Sequence, residues 1–226
     1  MRAMTRLISA SLALFCSLAL GLARQAVIPS NSAKLLNPVD LNETAPDTYQ
    51  TEFITTKGRF VIQVTRAWAP NAADRFYNLV KNGYYDNCRF FRVLPGYAVQ
   101  WGIHGDPKIN AVLSKATILD DPVKQSNRKG YVSFVYTGPN SRTAQLFINL
   151  RDNVSLDAQG YAPFGMLIKG TNIPNEFFAG YLDAPPMGQG PDQDRIHFEG
   201  NAYLSKFFPK LDYIKSAVIV EEQKKF

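Results

Sequence analysis

The stretch "FFRVLPGYAVQ", residues 90–100, places one arginine in a run of aromatic and aliphatic side chains. A guanidinium among apolar groups is costly to bury unless it meets a partner. Its planar array of donors suits either a carboxylate on a sheet surface or a substrate carbonyl, and we read Arg92 as facing a substrate. Other chemistries find little support. His104 and Asp106 with some serine would make a hydrolase triad, but no nucleophile-elbow pattern accompanies them. No catalytic role is read for His197. "GPNSRTAQ" lacks the spacing of a phosphate-binding loop and reads as a connection between strands. Cys88 has neither a histidine nor a second cysteine nearby and reads as a core thiol.

Those residues sit in a chain of 226 residues with 12% aromatic side chains. The length suits one domain with extensions. Many short apolar runs separated by Gly, Pro, Asn and Asp point to a β-rich architecture. The run from Leu7 to Ala23 is uncharged, follows Arg2 and Arg6, and ends in Gly21-Leu22-Ala23. It reads as a signal peptide, residues 1–23, cleaved after Ala23, with an uncleaved anchor as the alternative. A lipoprotein site at Cys16 is disfavoured by Phe15 before it. Cleavage removes two arginines and no acid, so the net charge falls from +6 to +4. No run of like charges marks a nucleic-acid partner, and Lys224-Lys225 reads as a solvated end. The mature chain keeps Cys88 alone, which excludes an internal disulfide.

Residues 24–47 hold three prolines and several Asn, Ser and Thr, and read as a flexible leader. Asn42 and Asn153 stand in glycosylation-acceptor patterns. Residues 48–226 are expected to form the domain. "YQTEFITTKGRFVIQVT" reads as a hairpin turning at Lys57-Gly58. Ala72, Phe76, Leu79 and Val80 fall on one helical face, with Pro70 at its start and Gly83 past its end. Further strands are expected in 89–102 around Pro95-Gly96, then in "GYVSFVY", "QLFINL", "APFGMLIKG" and "YIKSAVIV". Residues 106–129 read as a long polar loop, 171–181 as a short helix, 183–200 as irregular, and "NAYLSKFF" as a helix stopped by Pro209. Many short strands with few helices favour a closed antiparallel barrel.

Three stretches together resemble the cyclophilin-type peptidyl-prolyl cis-trans isomerases. "FFRVLPGYAVQWG" is similar to the family's Phe-His-Arg-x-x-Pro-Gly-Phe-x-x-Gln-Gly-Gly. "GYVSFVYTGPNSRTAQLFI" is similar to its Gly-x-x-Ser-Met-Ala-Asn-x-Gly-Pro-Asn-x-x-x-Ser-Gln-Phe-Phe-Ile. "SLDAQGYAPFGMLIKG" is similar to its Trp-Leu-Asp-x-x-x-x-Val-Phe-Gly-x-Val-x-x-Gly. Order and spacing match over about residues 50–182, and residues from about 183 onward form an extension.

The resemblance implies a mainly β fold, a closed eight-stranded antiparallel barrel capped by two helices, with a peptide groove on its outer face. It implies rotation about Xaa-Pro amides, whose uncatalysed barrier is ~18–20 kcal/mol, with no metal, cofactor or nucleophile. By the same likeness Arg92 and Gln100 are the catalytic pair: Arg92 holds the prolyl carbonyl and donates toward the amide nitrogen, and Gln100 orients it. Tyr97, Ala98, Phe147 and Leu156 align with the proline pocket, Gln145 with another groove residue, Val135 and Tyr136 with the strand edge that pairs with substrate backbone, and Tyr161 stands near the usual histidine.

The chain also departs from the family pattern. Ala98 replaces a methionine and leaves the pocket shallower on one side. Val135 and Thr137 replace small residues, and Ser155 replaces a tryptophan, which implies weak cyclosporin binding. The expected partners are proline-containing segments of client proteins in the secretory pathway, periplasm or extracellular space. No nucleic acid or stable membrane association after signal cleavage is expected, and nothing demands more than a monomer. The competing function is a non-catalytic proline-peptide binding module or chaperone. A carbohydrate-binding or surface-interaction role for residues 183–226 is a third reading.

Overall fold

A computed structural model describes residues 32–223; the expected signal peptide, Cys16 and Lys224-Lys225 lie outside the described residues. Eight strands form one antiparallel sheet: β1 Thr48–Thr55, β2 Arg59–Thr65, β3 Arg92–Leu94, β4 Ala98–Trp101, β5 Tyr131–Phe134, β6 Leu146–Asn149, β7 Pro163–Lys169 and β8 Ile214–Gln223. Their spatial order is β3-β4-β6-β5-β7-β2-β1-β8. All the strands expected from the sequence form.

The sheet curls into a half-barrel and is not the expected closed barrel. Its edge strands β3 and β8 share no ladder. Across the gap runs one isolated bridge, Arg89 to Tyr213, with Phe90 N–H donating to the Asp212 carbonyl at 3.0 Å. The reason is local. β3 has only three residues, a turn with Asn87 at φ 63° precedes it, and the Arg89 guanidinium sits 4.5 Å over the Tyr213 ring. The pairing has no straight run along which to propagate.

Alternation decides what fills the curl. Tyr49, Phe53, Phe60, Ile62 and Val64 point inward from the β1–β2 hairpin, and the Phe53 and Phe60 rings stack 4.9 Å apart. Helix α2, Pro70–Lys81, closes one opening with Ala72, Phe76, Leu79 and Val80 buried, the face its spacing predicts. Its first turn has no cap of its own; the Asp121 carboxylate accepts from the N–H groups of Asn71 and Ala72 at 3.0 and 2.9 Å, satisfying orphan donors from a distant loop.

The remaining helices differ from expectation. A short α1, Ser32–Leu35, begins the described chain. Residues 32–47 are not a loose leader: Leu35, Leu41 and Ala45 are buried in the main core, and Ala45 N–H donates to Asp74 at 2.9 Å. Within the expected polar loop lies α3, Pro107–Leu113, capped by the Asp106 side chain. The short helix expected over 171–181 shrinks to one 3-10 turn, Ile173–Glu176. Helix α4, Gln193–Phe207, is longer than expected and bends at Gly200, where φ is 60°. Four helices rather than two therefore accompany the sheet among the described residues, none long and apolar enough to cross a membrane.

The segment after residue 180 builds a second apolar core outside the sheet. Phe91, Ile103, Ile196, Tyr203, Leu204 and Leu211 pack together, with Tyr181 and Phe208 against them. The Phe90-Phe91 pair is split by strand alternation: Phe90 enters the main core and Phe91 the second.

Candidate active site

β3 and β4 pair with Arg92 opposite Gln100, Val93 opposite Val99 and Leu94 opposite Ala98. β4 and β6 pair with Gln100 opposite Phe147. Residues directly opposite across antiparallel strands share a face, so Arg92, Gln100 and Phe147 form one row across three strands. The alternate row of Val93, Val99, Ile148 and Val132 belongs to the main core. Arg92 therefore lies on the outer face, its side chain 25% exposed.

A third, separate apolar cluster lies on that outer face. Ala98, Phe147 and Leu156 form it, with Tyr97, Val135 and Tyr161 packed against them. The register sets Ala98 and Phe147 on it, while Leu156 comes from a 3-10 turn, Val154–Leu156. Two walls are tied together at their base: the Tyr97 carbonyl accepts from Leu150 N–H at 2.9 Å and from the Asn153 amide at 3.0 Å. The Tyr161 ring meets Phe147 edge-on at 5.5 Å and Tyr136 at 4.7 Å. Burial pushes the Tyr161 hydroxyl pKa up, with Tyr136 and Tyr97 adding to it.

A polar chain borders the cluster. Arg92 Nη1 donates to Gln100 Oε1 at 3.4 Å, and Gln100 Nε2 donates to Gln145 Oε1 at 2.9 Å. The sequence-predicted residues thus gather in one place: Arg92, Gln100 and Gln145 along one side, Tyr97, Ala98, Phe147, Leu156, Val135 and Tyr161 lining the slot, and Tyr136 beyond Tyr161. Val135 follows the last residue of β5. Its N–H already donates to the Gln145 carbonyl at 2.9 Å, and its side chain joins the slot.

Three residues escaped sequence reasoning. Arg142 lies 4.6 Å over the Tyr136 ring and is held by Asp120 and the Gly160 carbonyl. Arg151 lies 5.3 Å over the Tyr97 ring. Asp183 Oδ2 stands 2.6 Å from Arg92 Nη2, and Arg92's hydrogen bond holds the Asp183 carboxyl below its ordinary pKa. Arg92 therefore meets a carboxylate, as the alternative reading has it, while lying on the same outer face as the apolar slot. Only the presence of an acid among the glycines and prolines of 183–190 hinted at Asp183. His104 is no catalytic base: its Nδ1 accepts from Asp106 N–H at 2.9 Å, while the Asp106 carboxylate caps α3 through Lys108 N–H. Burial lowers the His104 pKa.

The family model for cyclophilin type peptidyl-prolyl cis-trans isomerase/CLD matches residues 50–186. The chain belongs to this family. A peptidyl-prolyl cis-trans isomerase of Acinetobacter baylyi is 33% identical over 128 residues, covering 54% of this chain and 68% of that protein. Peptidyl-prolyl cis-trans isomerase A of Dickeya dadantii is 34% identical over 131 residues, covering 53% and 65%. The crystal structure of a Cryptosporidium parvum cyclophilin superposes with a TM-score of 0.58 at 22% identity, covering 78% of this chain and 99% of that one; at that identity the likeness speaks for the fold. Within the cyclophilin frame, Ser155 is exposed and adds nothing to the slot, whereas Ala98 is 4% exposed and packed against Phe147 and Leu156.

Proposed function

We propose that this chain catalyses cis-trans isomerisation of Xaa-Pro amides in its outer groove and assists the folding of secretory or secreted proteins. The observation that supports this best is the row Arg92, Gln100, Phe147 beside an apolar slot separate from the core. The proline ring rests on Ala98, Phe147 and Leu156, walled by Tyr97, Val135 and Tyr161. Arg92 donates to the prolyl carbonyl and toward the amide nitrogen as its lone pair localises on twisting. Rotation loses amide resonance without breaking a bond, so a donor aimed at the twisted amide lowers the barrier by binding that state more tightly than either planar one. Gln100 holds Arg92 Nη1, and Gln145 holds Gln100. Removal of residues 1–23 and export are part of this proposal, motivated by the uncharged run after Arg6. So are action as a monomer, no stable membrane contact afterwards, and weak cyclosporin binding through Ser155.

The test is exchange spectroscopy on a short prolyl peptide with the full chain and its Arg92→Ala variant. Catalysed exchange between the two isomers, lost in Arg92→Ala, is the expected result. A binding shift without exchange in the wild type would mean a proline-peptide binding module instead. That second reading draws on Ala98, the occupied Val135 N–H and the ion pair on Arg92.

A further inference from the structure

We propose that Asp183 is a positioning residue for Arg92, fixing the guanidinium in the orientation that prolyl isomerisation needs. This rests on the isomerase reading. Both terminal nitrogens of Arg92 are engaged: Nη2 by Asp183 Oδ2 at 2.6 Å and Nη1 by Gln100 Oε1 at 3.4 Å. A flexible side chain gripped at both tips has its plane set, and five donors less two leave three for a substrate. A donor fixed before the amide twists needs no reorganisation during the reaction.

Asp183 is itself held. Its Oδ1 accepts from Ala184 N–H at 2.8 Å, and its carbonyl accepts from Gly190 N–H at 2.7 Å. Gln189 N–H donates to the Tyr181 carbonyl at 2.9 Å, and Met187 N–H to the Ala184 carbonyl at 3.1 Å. The loop folds so tightly that a Cβ at Gly190 would stand 2.8 Å from the Asp183 carbonyl oxygen, and one at Gly188 2.7 Å from the Asp183 nitrogen. The base of the loop is fixed to the second core through Tyr181, whose ring meets Phe208 at 5.1 Å. An ion pair 25% and 27% exposed contributes little stability. A loop built this closely around the Asp183 backbone, with the Asp183 carboxylate on the groove arginine, is therefore better explained by what the arginine does.

The test compares the full chain with its Asp183→Asn and Asp183→Glu variants in the same exchange assay, at several peptide concentrations. Asp183→Asn is expected to lower kcat about tenfold, since misplacing a reacting group by a full ~1 Å can cost about a hundredfold and Gln100 still holds Arg92 at its other tip, with KM within about twofold. Asp183→Glu, which keeps the carboxylate, is expected to recover a large part of the loss. The Arg92 Nε–H resonance should be a single dispersed signal in the wild type and averaged in Asp183→Asn. Wild-type kcat in Asp183→Asn, a change in KM alone, failure of Asp183→Glu to do better, or unfolding of Asp183→Asn at assay temperature would each overturn the proposal, the last by making Asp183 structural. A wild-type chain without catalysed exchange would sink the isomerase reading instead, and the Arg92 resonance would then decide whether Asp183 fixes the side chain.

Discussion

Arg92→Lys separates charge from geometry at the groove. It keeps the positive charge but replaces a planar fork with a single ammonium nitrogen. In the structure two nitrogens of Arg92 are already committed, Nη2 to Asp183 at 2.6 Å and Nη1 to Gln100 at 3.4 Å. One lysine nitrogen can satisfy Asp183 or approach the twisting amide, and the nearby carboxylate draws it toward the former. Removing one donor from a developing charge typically costs ~10²–10³ in kcat, about 3–4 kcal/mol. The fold loses far less, because the Arg92–Asp183 pair is 25% and 27% exposed and such pairs are worth ~0.2–1 kcal/mol. Arg92→Lys should therefore remain folded, with a melting transition close to wild type, and exchange a prolyl peptide at least about a hundredfold more slowly. Exchange spectroscopy with a parallel thermal melt reads both quantities. A variant within about threefold of wild type would show that positive charge near the slot suffices, and the argument from donor geometry would be wrong.

Three further outcomes can be checked. Asn127 is fully buried and bonds Asp157, the Tyr161 carbonyl, Ser133 and Asn149; Asn127→Ala orphans several of these groups and should cost about 3 kcal/mol in denaturant unfolding, whereas a loss under about 1 kcal/mol would mean that water replaces the network. Because the Asp183 pKa is depressed by Arg92's hydrogen bond, its stabilisation is complete above the unfolded aspartate value of ~3.9 and is lost as pH falls through the lower folded value. The difference in melting temperature between wild type and Asp183→Asn should thus hold steady from neutrality to about pH 4 and close below it, and a difference that persists at lower pH would contradict the ion pair as its source. Cys88 is fully buried and its thiol pKa is raised by burial, so peptide mapping after alkylation should find it unlabelled in the native chain and labelled in denaturant; native labelling within minutes would refute this.

The β-rich core was legible because its signals are local. Phe60, Ile62 and Val64 alternate with polar neighbours or with Val61, and the period of two names the buried face. The candidate groove residues were legible for a different reason: resemblance to the cyclophilins singles out positions such as Phe147 and Leu156, which by type alone read as core. What escaped depends on distant contacts. Helix α3 opens a stretch that reads as polar loop and is anchored by Asn110, which bonds both the N–H and the carbonyl of His104. The packing of Leu35 and Leu41 is invisible in a Pro- and Asn-rich segment, since nothing local says what they meet. Barrel closure failed because a count of strands carries no information about whether the edge strands are long enough to pair.

The two faces of β3 and β4 also explain why the extension matters to the groove. A slip of one residue would exchange the row Arg92–Gln100–Phe147 with the row Val93–Val99–Ile148, placing a guanidinium in the main core. A three-residue edge strand pins its register only weakly through its own pairing with β4. Phe90 on the inner side and Phe91 on the outer side hold it from both directions, the first stacked on Phe177 at 3.9 Å and the second buried with Ile196 and Leu204 of α4. The second core therefore holds the candidate site from two sides: it clamps the residue next to Arg92 in register, and through Tyr181 it anchors the loop that carries Asp183. Loss of packing at Ile196 should accordingly reach the groove without any change to a groove residue.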